Sequence, residues 1–245
     1  MPSLTVYIAV ALACFFIGVS KSGFGGLLTA LITPLVALAL PADKALGVML
    51  PVLMIGDVFA VYAHWRNWDL RLFRLLTVGA VAGVALATLV LSGLSPTGLR
   101  LVLGAFTLAF AVYRLLERKL LGALRYQPHA WHGVLSGAIA GFASALANQG
   151  TPPVNIYLLM QDLTPSVFVG TTAITFLVMN WIKLPFYYSA HLFDPHLLLR
   201  LAWLAPLIPL GSWAGKRFLA HMNQARFNTL LTVLLFISGL LLVTR

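Results

Sequence analysis

The sequence predicts an all-α, polytopic membrane protein, and three observations carry that expectation. Hydrophobic residues make up 60% of the 245 and charged ones only 9%, with a mean hydropathy of +0.95; a soluble domain would carry about a quarter charged residues. The apolar runs are too long and alternate too weakly for barrel strands of about ten residues, so they fit helices of about twenty. The basic residues behind the net charge of +10 lie between those runs. That is where the positive-inside rule expects lysine and arginine, and their placement argues against a nucleic-acid partner.

Taken in order, residues 4–21 form a first helix. No basic residue precedes it as in a cleaved leader, so it is expected to be retained. A glycine-rich break follows, then a short segment at 27–40 and longer ones at 45–63, 72–92 and 98–114, each closed by a polar or proline-containing connection. The second series runs 130–147, 153–161 (again short), 166–190, 196–214 and 226–243. The chain therefore divides into a first membrane repeat at 1–116, a cytoplasmic connection at 117–129 and a second repeat at 130–245.

The repeat rests on matched positions. Gly18 to Pro34 has the spacing of Gly137 to Pro153. Gly47 aligns with Gly170, Trp68-Asp69 with Phe193-Asp194, Gly83 with Gly211, and Asp57 with Asn180. Charge bias reverses between equivalent loops: Arg66, Arg71 and Arg74 oppose a poorer 190–200, while Lys216, Arg217 and Arg226 oppose a poorer 92–100. Equivalent loops on opposite faces imply two inverted repeats of about five helical segments each, with basic loops in the cytoplasm and both termini outside. The segments at 27–40 and 153–161 are too short to cross a ~30 Å core upright, so they read as broken or re-entrant helices at the midplane.

Lipid tolerates an unwound backbone only where protein or a wet cavity surrounds it. Lys21-Ser22-Gly23-Phe24-Gly25-Gly26 is one such break, and Asn148-Gln149-Gly150-Thr151 before Pro152 and Pro153 is the other. Each precedes a short helix whose N-terminal N–H groups and positive dipole end favour an anion. Lys183, three residues after Asn180 on one helical face, would join Lys21 in adding charge. Asp57 is the only acid within a span, either a partner for a lysine or a proton carrier. The competing reading of the glycines is close helix packing, and of Asp57 a purely structural ion pair. Trp181, beside Asn180, is the one tryptophan considered for the cavity; the others read as interface-belt aromatics.

The stretches "GVSKSGFGGLLTALITPLVAL", "GAIAGFASALANQGTPPVNIYLL" and "GTTAITFLVMNWIKLPFYYSAHLFD" resemble the TauE/SafE family of sulfite and organosulfonate exporters, over essentially the whole chain. The resemblance implies an inner-membrane carrier with two related halves that moves sulfite, sulfoacetate or a similar sulfur oxyanion. It brings the first motif onto Gly23, Gly25 and Gly26, and the second onto Gly141 and Asn148 to Pro153. The second copy lacks a tight glycine cluster, leaving Asn148 and Gln149 to replace backbone donors.

The expected function is thus a secondary carrier exporting a small sulfur oxyanion, with proton coupling through Asp57 where coupling exists. The alternatives are an anion channel or an uptake permease for another small organic anion. Neither a base and nucleophile constellation nor a paired-ligand spacing of histidines stands out, so an enzyme, a metal and a cofactor are not expected. The expected partners are the anion and the bilayer, and flat apolar helix faces would suit a homodimer.

Overall fold

The computed structural model describes residues 2–23, 28–123, 129–218 and 224–244. The first series of helices is α1 (Leu4–Gly23), α2 (Thr29–Ala39), α3 (Ala42–Ala63), α4 (Leu70–Gly93) and α5 (Pro96–Ala123). The second is α6 (Ala130–Ala147), α7 (Thr151–Leu159), α8 (Pro165–Ser189), α9 (Pro195–Leu201), α10 (Leu207–Phe218) and α11 (Gln224–Thr244). Among the described residues, six helices are long and apolar enough to cross a membrane. A seventh span arises when the bent pair around α9 and α10 is taken together. The all-α, multi-pass expectation holds.

Two boundaries differ from the sequence reading. The single helix expected at 196–214 is broken: α9 passes into a 3-10 turn at Ala202–Leu204, and the two parts meet at 46°. Pro206 accounts for the break, because it lacks an N–H for the ladder and its ring crowds the carbonyl four residues back, while Ala205 stays helical and bonds Ala202 in a 3-10 turn. Helix α5 also runs past 114 to Ala123, since the sequence from Leu115 to Ala123 contains no helix breaker other than Gly122.

Side chains of Asp69 and Asp194 cap α4 and α9, accepting the N–H groups of Leu72 (2.9 Å) and Leu197 (3.0 Å). Beyond these caps the helices pair through small residues, as expected where lipid gives apolar side chains no reason to leave it. Helices α4 and α6 run parallel: the backbone at Gly83 meets Ala138, and that at Gly137 meets Leu76. Helices α1 and α10 pack in the same way, with Gly18 against Ile208 and Gly211 against Phe15. Helices α3 and α8 run antiparallel, from Gly47 against Leu192 to Gly170 against Asn67, with Asp57 and Asn180 between them. Helices α5 and α11 are antiparallel too, Gly104 meeting Leu242 and Gly239 meeting Leu108.

A side chain at Gly18, Gly83, Gly137 or Gly211 has nowhere to go, because the atom it would meet is a carbonyl oxygen of the facing helix 2.0 Å away. Gly137→Val should therefore lower stability by about 1–3 kcal/mol or more through overpacking. Gly93→Ala is the control, since a Cβ there meets nothing within 4 Å. Thermal unfolding in detergent should separate the two variants; equal melting would mean that α4 and α6 do not pack this closely.

Candidate functional site

The site is built where α1, α3, α6 and α8 meet, around the two breaks. Lys21 occupies the last turn of α1, where the negative end of the helix dipole favours a cation. Its Nζ is ion-paired with Asp57 Oδ1 on α3, and Asp57 Oδ2 accepts a hydrogen bond from Asn180 Nδ2 on α8 at 2.5 Å. Asp57 is 0% exposed and Lys21 9%, so pairing is what makes either charge tolerable. Lys21 Nζ also lies 5.1 Å from the centre of the Phe176 ring.

One turn along α8 from Asn180, Lys183 is 0% exposed. Its Nζ donates to Asn148 Oδ1 (2.7 Å), Ser144 Oγ (3.2 Å) and the Ser144 carbonyl (3.3 Å). Those partners exist because α6 ends abruptly. Asn148 takes φ +55°, a left-handed conformation that asparagine tolerates, and the N–H of Gln149 returns to the Ala143 carbonyl. Tyr187, one turn beyond Lys183, donates its hydroxyl to the Ala145 carbonyl at 2.7 Å. Tyr187 thus donates to a carbonyl near the end of α6, and Lys183 is a second donor to the Ser144 carbonyl, which already accepts the N–H of Asn148 at 2.9 Å.

The second break also meets the start of α2. Asn148 Nδ2 donates to Thr33 Oγ1 (3.2 Å), and Gln149 Nε2 donates to the Ala30 carbonyl (3.3 Å) and to Thr107 Oγ1 on α5 (2.9 Å). The first turns of α2 and α7 therefore approach one another. Their donors differ: Pro152 and Pro153 sit in the first turn of α7 and have no N–H, leaving Gly150 and Thr151 as the backbone donors there. At α2 the first turn carries no proline, and Ser20 Oγ accepts the N–H of Leu28 just before it at 3.1 Å.

Of the sequence candidates, the structure gathers Lys21, Asp57, Asn180, Lys183, Asn148, Gln149, Gly150 and Thr151 into one region. Ser22 and Gly23 are the last residues of α1; Phe24, Gly25 and Gly26 lie outside the described residues. Trp181 does not join the cluster. It is 56% exposed while Asn180 beside it is buried, because successive helical residues point about 100° apart. Ser144, Thr33, Thr107 and Phe176 belong to the site and were missed. Ser144 alone had a readable signal, one helical turn before Asn148.

Among the described residues this region holds two lysines and one carboxylate, every one of them buried, and no group of three or more metal-ligating side chains. The family model of the sulfite exporter TauE/SafE matches residues 10–242. The chain belongs to the TauE/SafE family. It is accordingly a member of a membrane transporter family, and the breaks, the buried lysines and the paired helices all fall within the matched region. No curated protein and no solved structure matches it.

Proposed function

We propose that this TauE/SafE member is a secondary carrier that exports a small sulfur oxyanion, sulfite or an organosulfonate such as sulfoacetate, across the cytoplasmic membrane. The observation that carries the reading is the buried excess of one positive charge. Lys21 is neutralised by Asp57, whereas Lys183 has only neutral acceptors around it. One bound monoanion would balance the region, and dipoles at the starts of α2 and α7 favour the same sign.

The helix contacts support an inverted repeat as the frame for this site. Exchanging the halves turns the α1–α10 contact into the α6–α4 contact: Gly18 on Ile208 becomes Gly137 on Leu76, and Gly211 on Phe15 becomes Gly79 on Val134, one turn from the Gly83 that the sequence aligns with Gly211. It also exchanges Gly47 on the backbone of Leu192 for Gly170 on the backbone of Asn67. Helices that would be equivalent, α3 with α8 and α5 with α11, pass each other antiparallel, as inversion requires. Basic loops on the cytoplasmic side then leave both termini outside.

Detergent-purified protein should be stabilised by its substrate by about 2.7 kcal/mol at a hundredfold excess over Kd. Thermal unfolding with sulfite, sulfoacetate, sulfate, acetate and chloride should give a selective rise for sulfite or the sulfonate. If no anion stabilises a monodisperse protein, the anion site is wrong. Saturable countertransport in vesicles would distinguish a carrier from a channel.

A further inference from the structure

A cavity of about 450 Å³ lies between α5, α6 and α7. Its wall is mostly apolar, with Phe106, Phe110, Ile139 and Ile156 among the side chains that form it. Gln149 also lines it and is only 3% exposed. The cavity adjoins the buried ammonium without containing it. Ala143 lines the cavity and its neighbour Ser144 receives Lys183; Gln149 lines the cavity and its neighbour Asn148 receives Lys183. The last turn of α6 and the break thus contribute to both.

The orientation of the Gln149 amide is fixed by its partners. Thr107 donates its hydroxyl to the Leu103 carbonyl at 2.7 Å, so toward Gln149 its oxygen can only accept, and the Ala30 carbonyl is an acceptor by nature. Both need the Nε2 side of the amide. Oε1 is left buried with no hydrogen-bond partner among the described residues. A buried carbonyl oxygen of this kind is costly unless something donates to it. An apolar cavity beside a cation, with an unpartnered acceptor on the Gln149 side chain of its wall, fits a small molecule with an anionic head, a hydrocarbon stem and a hydrogen-bond donor on that stem.

We propose that the cavity is the tail subsite of the carrier and that Gln149 Oε1 accepts a hydrogen bond from a hydroxyl or ammonium group on the organic tail of the transported sulfonate. This rests on the reading of the break as the anion site. The consequence is specificity: a tail with a donor is preferred over an isosteric tail without one, because the latter buries the acceptor unpaired. Sulfate and sulfite, which have no tail, gain nothing from the cavity.

The test uses the full chain in vesicles, with 2-hydroxyethanesulfonate and propane-1-sulfonate as competitors of sulfite transport. The two have the same charge and nearly the same size, and differ by a hydroxyl in place of a methyl. The hydroxy compound should compete at a concentration about tenfold lower, and Gln149→Met should bring the two within about threefold, the residue of a neutral hydrogen bond lost. Equal or better competition by propane-1-sulfonate in the unmodified protein overturns the proposal, and this comparison stands even if the variant does not fold. So does an undiminished preference in Gln149→Met. Sulfite transport with competition by neither sulfonate removes the tail subsite but leaves the carrier. Absence of sulfite transport together with absence of binding by either sulfonate would take down the carrier reading and this one with it.

Discussion

Lys183→Gln abolishes stabilisation by the transported anion and lowers transport at least about thirtyfold, while the ligand-free protein melts close to the parent. The first half of that expectation comes from charge. A fully buried ammonium facing a bound anion is a desolvated pair, and truncating one partner of such a pair costs about 2–5 kcal/mol, or roughly 30- to several-thousand-fold. The second half comes from the hydrogen bonds. Lys183 also holds the end of α6 through Ser144 and Asn148, and a glutamine amide can still donate there, whereas alanine leaves Asn148 Oδ1 buried without that donor. Lys183→Ala should therefore lose both transport and about 1–3 kcal/mol of stability. Thermal unfolding with and without sulfite, beside vesicle flux, separates the two roles. Normal transport by Lys183→Gln would reduce Lys183 to holding the end of α6.

The membrane explains why so much was legible. An apolar solvent makes each charged residue and each backbone break conspicuous, so ten helical segments and the buried Lys21, Asp57 and Lys183 stand out against a background of leucine, valine and alanine. The proline break between α9 and α10 was less visible. Pro34, Pro51 and Pro185 lie inside helices that continue, and nothing local marks Pro206 as the one that breaks. The hydroxyls of Thr33 and Thr107 were invisible for another reason. A threonine in an apolar helix usually returns its proton to a carbonyl one turn back, as Thr107 does to Leu103. Only the packing of α2 and α5 against the break reveals that Gln149 needs its other side. Trp181 was misjudged because proximity in sequence to Asn180 says nothing of which helix face a residue occupies.

Asp57→Asn should destabilise the protein by about 3–5 kcal/mol, because it leaves Lys21 buried without its counter-charge. The loss should be largely relieved in Asp57→Asn/Lys21→Met, since exchanging both members of a buried pair for neutral groups of similar volume is often nearly neutral. Asp57 joins three helices, α1 through Lys21, its own α3, and α8 through Asn180. With α1 and α3 in the first series and α8 in the second, any rearrangement between the series must reckon with this carboxylate. Protonation of Asp57 would break the charge pair and free Lys21, which gives a physical route for a proton to change what the site can hold. The double variant tests that route without the confounding instability. If Asp57 couples transport to protons, the folded double variant should exchange anion for anion across vesicles yet gain nothing from an imposed pH gradient. A gradient response equal to that of the parent would restrict Asp57 to holding α1, α3 and α8 together. The energy lost in the single variant would then measure that structural role alone.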